Sequence, residues 1–77
     1  MVFEDKTIAF IGSGVMAEAM IGGLLNKKLI EPAQIIAADP REDRGRELSA
    51  RYGIRSTTNN VEAAEAANVL VLAVKPQ

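Results

Sequence analysis

The 77-residue sequence contains no cysteine, no histidine and no tryptophan. The first two absences exclude disulfide bridges, zinc sites built on Cys and His, thiol nucleophiles and imidazole acid–base catalysis. No apolar run approaches the roughly 20 residues that a membrane-spanning helix needs, and the acidic Glu4 and Asp5 are unlike a signal peptide. We therefore expect a soluble, cytoplasmic chain with no metal site and no membrane partner.

The charge balance excludes a second group of functions. Nine basic and ten acidic residues give a net charge of −1, so there is no bulk electrostatic attraction to nucleic acid or to an anionic membrane. Hydrophobic residues make up 48% and charged residues 25% of the chain, which is typical of folded soluble proteins rather than disordered ones. The length allows one small domain with a marginal core.

Apolar runs alternate with stretches of helical periodicity along the whole chain. The pattern predicts strands over 7–11, 35–38, 54–58 and 69–74 and helices over 15–28, 41–52 and 60–67. Such alternation indicates a parallel sheet with right-handed helical crossovers. Apolar runs without polar alternation belong to strands that are covered on both faces. We therefore predict an α/β fold, the first βαβαβαβ portion of a Rossmann-type doubly wound parallel sheet, in strand order 3-2-1-4.

A glycine-rich turn joins the first predicted strand to the first helix. The sequence from Gly12 to Ala17 fits G-x-G-x-x-A, in which Gly12 permits a sharp turn, Gly14 leaves room for a pyrophosphate and Ala17 lets the helix pack close to the strand. The free N–H groups at the helix start attract phosphates. An acid, Asp39, follows 25 positions after Gly14, as in dinucleotide-binding units. The alternative is a turn that serves packing alone.

The end of the second predicted strand bears on the choice of cofactor. In a dinucleotide-binding unit Asp39 would accept hydrogen bonds from the adenosine ribose and repel a 2′-phosphate. The run Asp39, Pro40, Arg41 and Glu42 also fits a helix start, with Asp39 as N-cap and Glu42 completing a capping box, and both roles are compatible. Either Arg41 or Arg44 could meet a 2′-phosphate, although for Arg44 we favour a solvated helix face. Both NAD and NADP therefore remain open.

Two further positions lie at the predicted far rim of the same crevice. Asn59 and Glu62 have capping-box spacing at the start of the third helix. Lys75 follows the strongest predicted strand, and in the order 3-2-1-4 that strand neighbours the one that ends at Gly12. Lys75 would then face the nicotinamide half of a dinucleotide. The alternative is an ordinary polar strand end.

These motifs resemble those of pyrroline-5-carboxylate reductase. The resemblance covers nearly the whole chain and is most specific at the closing Ala-Val-Lys-Pro-Gln, with Asn60 fifteen residues before the lysine. The runs that carry it are 9–20, 22–24 and 71–77. In that family an N-terminal Rossmann domain binds NAD(P)H, while a C-terminal helical domain forms the dimer and supplies much of the substrate site. The reaction is hydride transfer to the C=N bond of 1-pyrroline-5-carboxylate, which gives L-proline.

The resemblance implies a set of cofactor-binding residues but no catalytic residue within the chain. The pyrophosphate group would be held at the glycine turn, the adenosine ribose at the second strand end, and the nicotinamide ribose at the fourth. The implied residues are Ile11, Gly12, Ser13, Gly14, Val15, Met16 and Ala17; Asp39 and Arg41; Asn60; and Ala73, Val74, Lys75 and Pro76. Asp39 departs from the Ser or Asn-Arg often seen in NADP-preferring members.

The resemblance also bears on domain organisation. It implies that residues 1–77 are the NAD(P)-binding domain of a longer, homo-oligomeric enzyme whose helical domain is absent here. Two alternatives stay open: a related reductase, such as an F420-dependent NADP oxidoreductase or a hydroxyacid dehydrogenase, and a non-catalytic nucleotide-sensing domain.

Overall fold

The structure, a computed structural model, describes residues 3–73 and contains one four-stranded parallel sheet. The strand order is β3-β2-β1-β4, which confirms the predicted fold class. The strands are β1 (Ile8–Ile11), β2 (Ile35–Ala38), β3 (Arg55–Thr57) and β4 (Val69–Leu72). The helices are α1 (Val15–Asn26), α2 (Glu42–Tyr52) and α3 (Asn60–Ala66), and a 3₁₀ turn (Pro32–Gln34) precedes β2.

The register of the strands brings their carboxyl ends level with one another. Ile11, the last residue of β1, pairs with Ala38 of β2 on one side and with Leu72 of β4 on the other. Ala38 in turn pairs with Thr57, the last residue of β3. The segments that follow these four strands therefore start from one edge of the sheet.

Alternate residues of the strands pack into cores on opposite faces of the sheet, as the period of two in a strand requires. On the α1 and α2 face, Ile8 and Phe10 pack with Ile21 and Leu48. On the other face, Ala9, Ile11, Ile36 and Ala38 pack against Ala63 of α3. Since β1 and β2 are buried throughout, their continuous apolar sequence is explained by cover on both faces.

The first helix ends earlier than its sequence pattern predicts. α1 stops at Asn26, and Lys27 is its C-cap. Lys28 has a φ of +57°, and the N–H of Leu29 turns back to the carbonyl of Leu24 at 3.1 Å. Lys27 and Lys28 therefore follow the last turn rather than form it. The second helix ends as expected, at Gly53 in the left-handed conformation with φ +74°.

The predicted capping box at Asp39 is wrong. α2 begins at Glu42, its N-cap is Arg41, and no side chain caps it. The carboxylate of Asp39 instead accepts a hydrogen bond from the main chain of Arg41, at 2.8 Å, and another from Ser13 across the sheet edge, at 3.1 Å. The main-chain donors to this carboxylate are therefore Arg41 and Ser13 rather than the first N–H groups of α2.

The cap on the third helix is confirmed in part. The side-chain oxygen of Asn59 accepts hydrogen bonds from the N–H groups of Val61 and Glu62 at 2.9 and 3.1 Å. The reciprocal half of the box does not form, because the N–H of Asn59 donates to the hydroxyl of Thr57 at 3.1 Å. The α3 start is thereby fastened to the carboxyl end of β3.

A single carboxylate joins α1 to α2. Glu18 accepts hydrogen bonds from Arg44 and from the hydroxyl of Tyr52, both at 2.8 Å, and also from Arg51. Its side chain is only 19% exposed. The hydrogen bond from Arg44, helped by those from Tyr52 and Arg51, lowers the pKa of Glu18 from 4.5 to about 2. Glu18 therefore holds α2 beside the glycine turn.

We predict that Glu18→Gln lowers the melting temperature at pH 7 by an amount that shrinks as the pH falls. A carboxyl whose pKa is depressed by folding stabilises the fold above its unfolded-state pKa, here 4.5, and loses that contribution as the pH falls towards about 2. Thermal unfolding followed by circular dichroism over this range measures the difference.

The matched control is Glu42→Gln. Glu42 pairs with Arg46 in α2, but both side chains are at least 70% exposed, so this change should cost only about 0.3–0.5 kcal/mol. Equal melting temperatures for the wild type and Glu18→Gln at pH 7, or a difference that persists undiminished at low pH, would contradict the assignment.

Candidate functional site

The candidate site is the crevice at the carboxyl edge of the sheet, where the strand order reverses. β1 lies between β2 and β4. The chain therefore continues from β1 to β2 and β3 on one side, and then crosses back to place β4 on the other side of β1. Main-chain hydrogen bonds continue the sheet past the strand ends: Gly12 donates to Ala38 at 2.8 Å, and Ala73 donates to Ile11 at 2.8 Å. In open parallel sheets, ligands bind at such a reversal point.

The glycine turn has the geometry that its sequence predicts. Gly12 has a φ of +91°, which side-chain-bearing residues rarely adopt. Gly14 is the N-cap of α1 in an extended conformation, and a Cβ built on it would meet no atom within 4 Å. Ala17 is fully buried in the sheet-facing core. The tip of α1 is thus a bare stretch of main chain beside open space.

The residues at the tip differ in exposure. Val15 and Met16 are 86% and 71% exposed, while Ser13 is 1% exposed and Ile11 is buried in the α3-face core. The first N–H groups of an α-helix have no partner within the helix, and its dipole gives that end a partial positive charge. The tip can therefore accept an anionic group.

Asp39 is a buried carboxylate with four donors. It is 5% exposed. One oxygen accepts from the main-chain N–H and the Nε of Arg41, both at 2.8 Å. The other accepts from Nη2 of Arg41 at 2.9 Å and from the N–H of Ser13 at 3.1 Å. The guanidinium of Arg41 and these N–H groups hold the pKa of Asp39 well below its usual range, against the opposing effect of burial.

The predicted position of Arg44 on a solvated helix face is wrong. Its side chain is only 15% exposed. Nε donates to the main-chain carbonyl of Ser13 at 2.6 Å, and Nη2 lies 3.4 Å from the carbonyl of Gly14. Arg44 thus fixes the back of the glycine turn while Glu18 neutralises its charge. The sequence held one signal for this position: Arg44 precedes the buried Leu48 by four residues, so both lie on the inward face of α2.

A cavity of about 360 Å³ opens beside Asp39, between the start of α2 and the end of β3. Its lining combines two arginines and three hydroxyl-bearing residues with two acids and one glycine. The lining residues are Asp39, Arg41, Glu42, Gly45, Arg46, Ser56, Thr57 and Thr58. Five of these, Gly45, Arg46, Ser56, Thr57 and Thr58, were not singled out from the sequence, because their common position depends on how α2 packs on β3.

The remaining predicted site residues fall into two groups. Asn60 is the first residue of α3, exposed, at the same edge of the sheet. Ala73 is half-buried and directly follows β4, adjacent to the end of β1. Val74, Lys75 and Pro76 lie outside the described residues, so their placement at the nicotinamide end stays a prediction.

The described residues fit a phosphate-bearing ligand better than a metal. Ser13 has a buried hydroxyl without a hydrogen-bond partner among them, and the main chain at Gly14 faces open space. Within residues 3–73, no three His, Cys, Asp or Glu side chains come together as metal ligands. Over the same range, every helix is too short or too polar to cross a membrane.

Comparisons with known proteins agree with this geometry. The chain is 48% identical over 75 residues to pyrroline-5-carboxylate reductase from Vibrio alginolyticus, covering 96% of this chain and 27% of that protein. It is 44% identical over 71 residues to the enzyme of the same name from Corynebacterium melassecola, covering 92% and 26%. The chain thus spans about a quarter of the length of these curated relatives.

A solved structure and a family description complete the comparison. The pyrroline-5-carboxylate reductase structure from Coxiella burnetii superposes with a TM-score of 0.85 at 34% identity, over 92% of this chain and 26% of that one. The resemblance inferred from the sequence is therefore confirmed. The family described as NADP oxidoreductase, coenzyme F420-dependent, matches residues 7–77, and this chain belongs to that family.

Proposed function

We propose that residues 1–77 form the nicotinamide-dinucleotide-binding domain of a reductase that converts 1-pyrroline-5-carboxylate to L-proline. The observation that carries the proposal is the bare main chain at Gly14, at the tip of α1 and beside the reversal point of the sheet. The name shared by the relatives supplies the substrate. The relatives are about four times as long, and the proposal assigns the substrate pocket and the subunit contacts of a homo-oligomer to a region outside these residues.

Each part of the crevice binds a different part of the dinucleotide. When bound, the dinucleotide supplies the hydride that adds to the C=N carbon of the imine. Residues 11–16 form the turn that holds the pyrophosphate, with the free main-chain N–H groups at the start of α1 as its donors, and Asp39 with Arg41 lies at the adenosine ribose. Asn60 contacts the cofactor, and residues 73–76 line the nicotinamide ribose. Every one of these tasks is binding and orientation, so no residue of the chain is assigned to proton transfer. A cytoplasmic location belongs to the proposal and rests on composition alone.

A second candidate function comes from the family description, which names an NADP oxidoreductase that depends on coenzyme F420. The first reaction is favoured because the relatives cited above carry the reductase name. The two are separated by assaying a full-length protein that contains this segment with each substrate in turn. Oxidation of NADPH that depends on pyrroline-5-carboxylate supports the first function, and oxidation that depends only on F420 supports the second.

We predict that Gly14→Val abolishes most dinucleotide binding and leaves the fold intact. The extended backbone at Gly14, with φ −81° and ψ −162°, suits a β-branched residue. Its side chain would meet open space rather than protein but would block the pyrophosphate. Loss of even one charge-assisted hydrogen bond raises Kd by about tenfold or more. Calorimetric titration with NADPH, together with a melting curve, measures both effects.

Gly23→Ala is the matched control. Gly23 is also in α1 with nothing within 4 Å of a built Cβ, but it lies more than two helical turns from the tip. Ala in a helix interior is favoured over Gly by about 0.5–1 kcal/mol, so this variant should melt slightly higher and bind NADPH like the wild type. Unchanged NADPH binding by Gly14→Val would refute the proposed site.

We also predict that the 77-residue chain binds the cofactor but has no reductase activity. Hydride transfer requires the imine to be held in line with the nicotinamide, and the proposal places the residues that hold it elsewhere. The assay follows NADPH oxidation by the purified chain with pyrroline-5-carboxylate, beside a full-length protein as the positive control. Substrate-dependent oxidation by the short chain would disprove this division of labour.

A further inference from the structure

We propose that Arg44 is a positioning residue for dinucleotide binding, which fixes the orientation of the peptide between Ser13 and Gly14. The inference rests on the proposed function and deepens it, because it names what holds an N–H group of the turn that receives the pyrophosphate. Arg44 lies in α2, outside the glycine turn, and is assigned no contact with the ligand. It acts through the main chain of the turn.

Three successive peptides of the glycine turn are held in three different ways. In the first, the N–H of Ser13 donates to Asp39 at 3.1 Å. In the third, the carbonyl of Gly14 accepts from the N–H of Glu18 at 3.0 Å, as the first hydrogen bond of α1. In the peptide between them, the carbonyl of Ser13 accepts from Nε of Arg44 at 2.6 Å. Within the part of the chain that the structure describes, no other group donates to that carbonyl.

The geometry of a peptide bond turns this contact into control of an N–H group. A trans peptide is planar, so its C=O and N–H bonds point in opposite directions. Because the Ser13 carbonyl is turned towards Arg44, the N–H of Gly14 points away from Arg44. That N–H has no acceptor among the described residues, and a Cβ built on Gly14 would meet no atom within 4 Å. Arg44 thus keeps an unused donor of the turn on the side away from α2.

The glycine at this position makes such a constraint necessary. Turning the peptide over changes ψ of Ser13 and φ of Gly14, and glycine adopts positive and negative φ about equally readily. The local cost of the reversal is therefore small. A reversed peptide would present the carbonyl oxygen of Ser13 to the pyrophosphate in place of an N–H, so two negative groups would face each other. The residue that leaves room for the ligand thus needs a second residue to fix its backbone.

The surroundings of Arg44 suit a fixed donor. Its side chain is 15% exposed, and its charge is matched by Glu18 at 2.8 Å and by Glu47. Nη2 binds Glu18 and Nη1 binds Glu47. A guanidinium presents its N–H groups in a rigid planar fork, so these two bonds also set the direction of Nε. The two glutamates therefore hold the Nε donor at the carbonyl of Ser13.

The most selective test is Arg44→Lys. Lysine keeps the positive charge beside Glu18 and Glu47, but a methylene group takes the place of Nε, the atom that donates to Ser13. NADPH and NADH share the pyrophosphate, so both should bind about three- to tenfold more weakly, because a charge-assisted hydrogen bond no longer favours the binding orientation of the peptide. Calorimetric titration of the 77-residue chain with each dinucleotide measures the two losses.

The matched control is Arg51→Met. Arg51 also lies in α2 and donates to Glu18, but among the described residues it has no hydrogen bond to the glycine turn. This variant should melt slightly lower and bind both dinucleotides like the wild type. Glu47→Ala removes one of the two groups that orient the guanidinium, at a half-exposed position that the fold tolerates. It should weaken both dinucleotides by the same factor, and by less than Arg44→Lys.

A second measurement reads the turn directly, without a ligand. Arg44→Lys should shift the backbone amide resonance of Gly14 in the isotope-labelled chain, because the peptide that carries this N–H loses its partner. Arg51→Met should leave that resonance in place. A role for Arg44 in fastening α2 to α1 alone would not separate these two variants.

The possible outcomes distinguish this inference from the proposed function. Wild-type affinities in Arg44→Lys, an unmoved Gly14 amide, or equal losses in Arg44→Lys and Arg51→Met would overturn the role of Arg44 and leave the proposed function standing. If the wild type binds neither dinucleotide, the proposed function is overturned and this inference with it.

Discussion

The hydrogen bond from the main-chain N–H of Ser13 to the buried carboxylate of Asp39 links the glycine turn to the end of the neighbouring strand. Its two residues are 26 positions apart in sequence, and both lie at the crevice on the carboxyl edge of the sheet. With the carboxylate fixed by Ser13, Arg41 is held at the mouth of the adjacent cavity. With the turn fixed by Asp39 and by Arg44 behind it, the tip of α1 presents its main chain to open space. The burial of Asp39 is tolerated because every lone pair has a donor.

A second carboxylate, that of Glu18, links α1 to α2. It accepts hydrogen bonds from Arg44, Arg51 and Tyr52, which all lie on α2. Arg44 then reaches the carbonyl of Ser13. The glycine turn is therefore held at Ser13 by two ionic side chains: Asp39 accepts from its N–H and Arg44 donates to its carbonyl. The charge of each is matched by an ion-pair partner. For a domain too small to bury a large core, such polar links add rigidity where the ligand needs it.

Much of this architecture could be predicted from the sequence, because the signals were local. Continuous apolar runs in β1 and β2 follow from burial on both faces, and the spacing of Gly12, Gly14 and Ala17 matches their positions in the turn. Long-range partners could not be predicted. The start of α2 was predicted wrongly because the capping-box pattern made Asp39 the N-cap of α2. The Asp39 carboxylate instead accepts a hydrogen bond from the N–H of Ser13, which follows the neighbouring strand β1. Arg44 was misjudged for the same reason, since Ser13 lies 31 residues away from it.

The central claim is that the main chain at the tip of α1 is where a dinucleotide pyrophosphate binds. The most direct measurement is a titration of the isotope-labelled chain with NADPH, followed by the chemical shifts of its backbone amides. The account predicts that the largest changes fall on residues 12–16 and on Asp39, with those on the outer face of α3 unmoved. Changes confined to other parts of the chain, with the amides of the glycine turn unaffected, would contradict it.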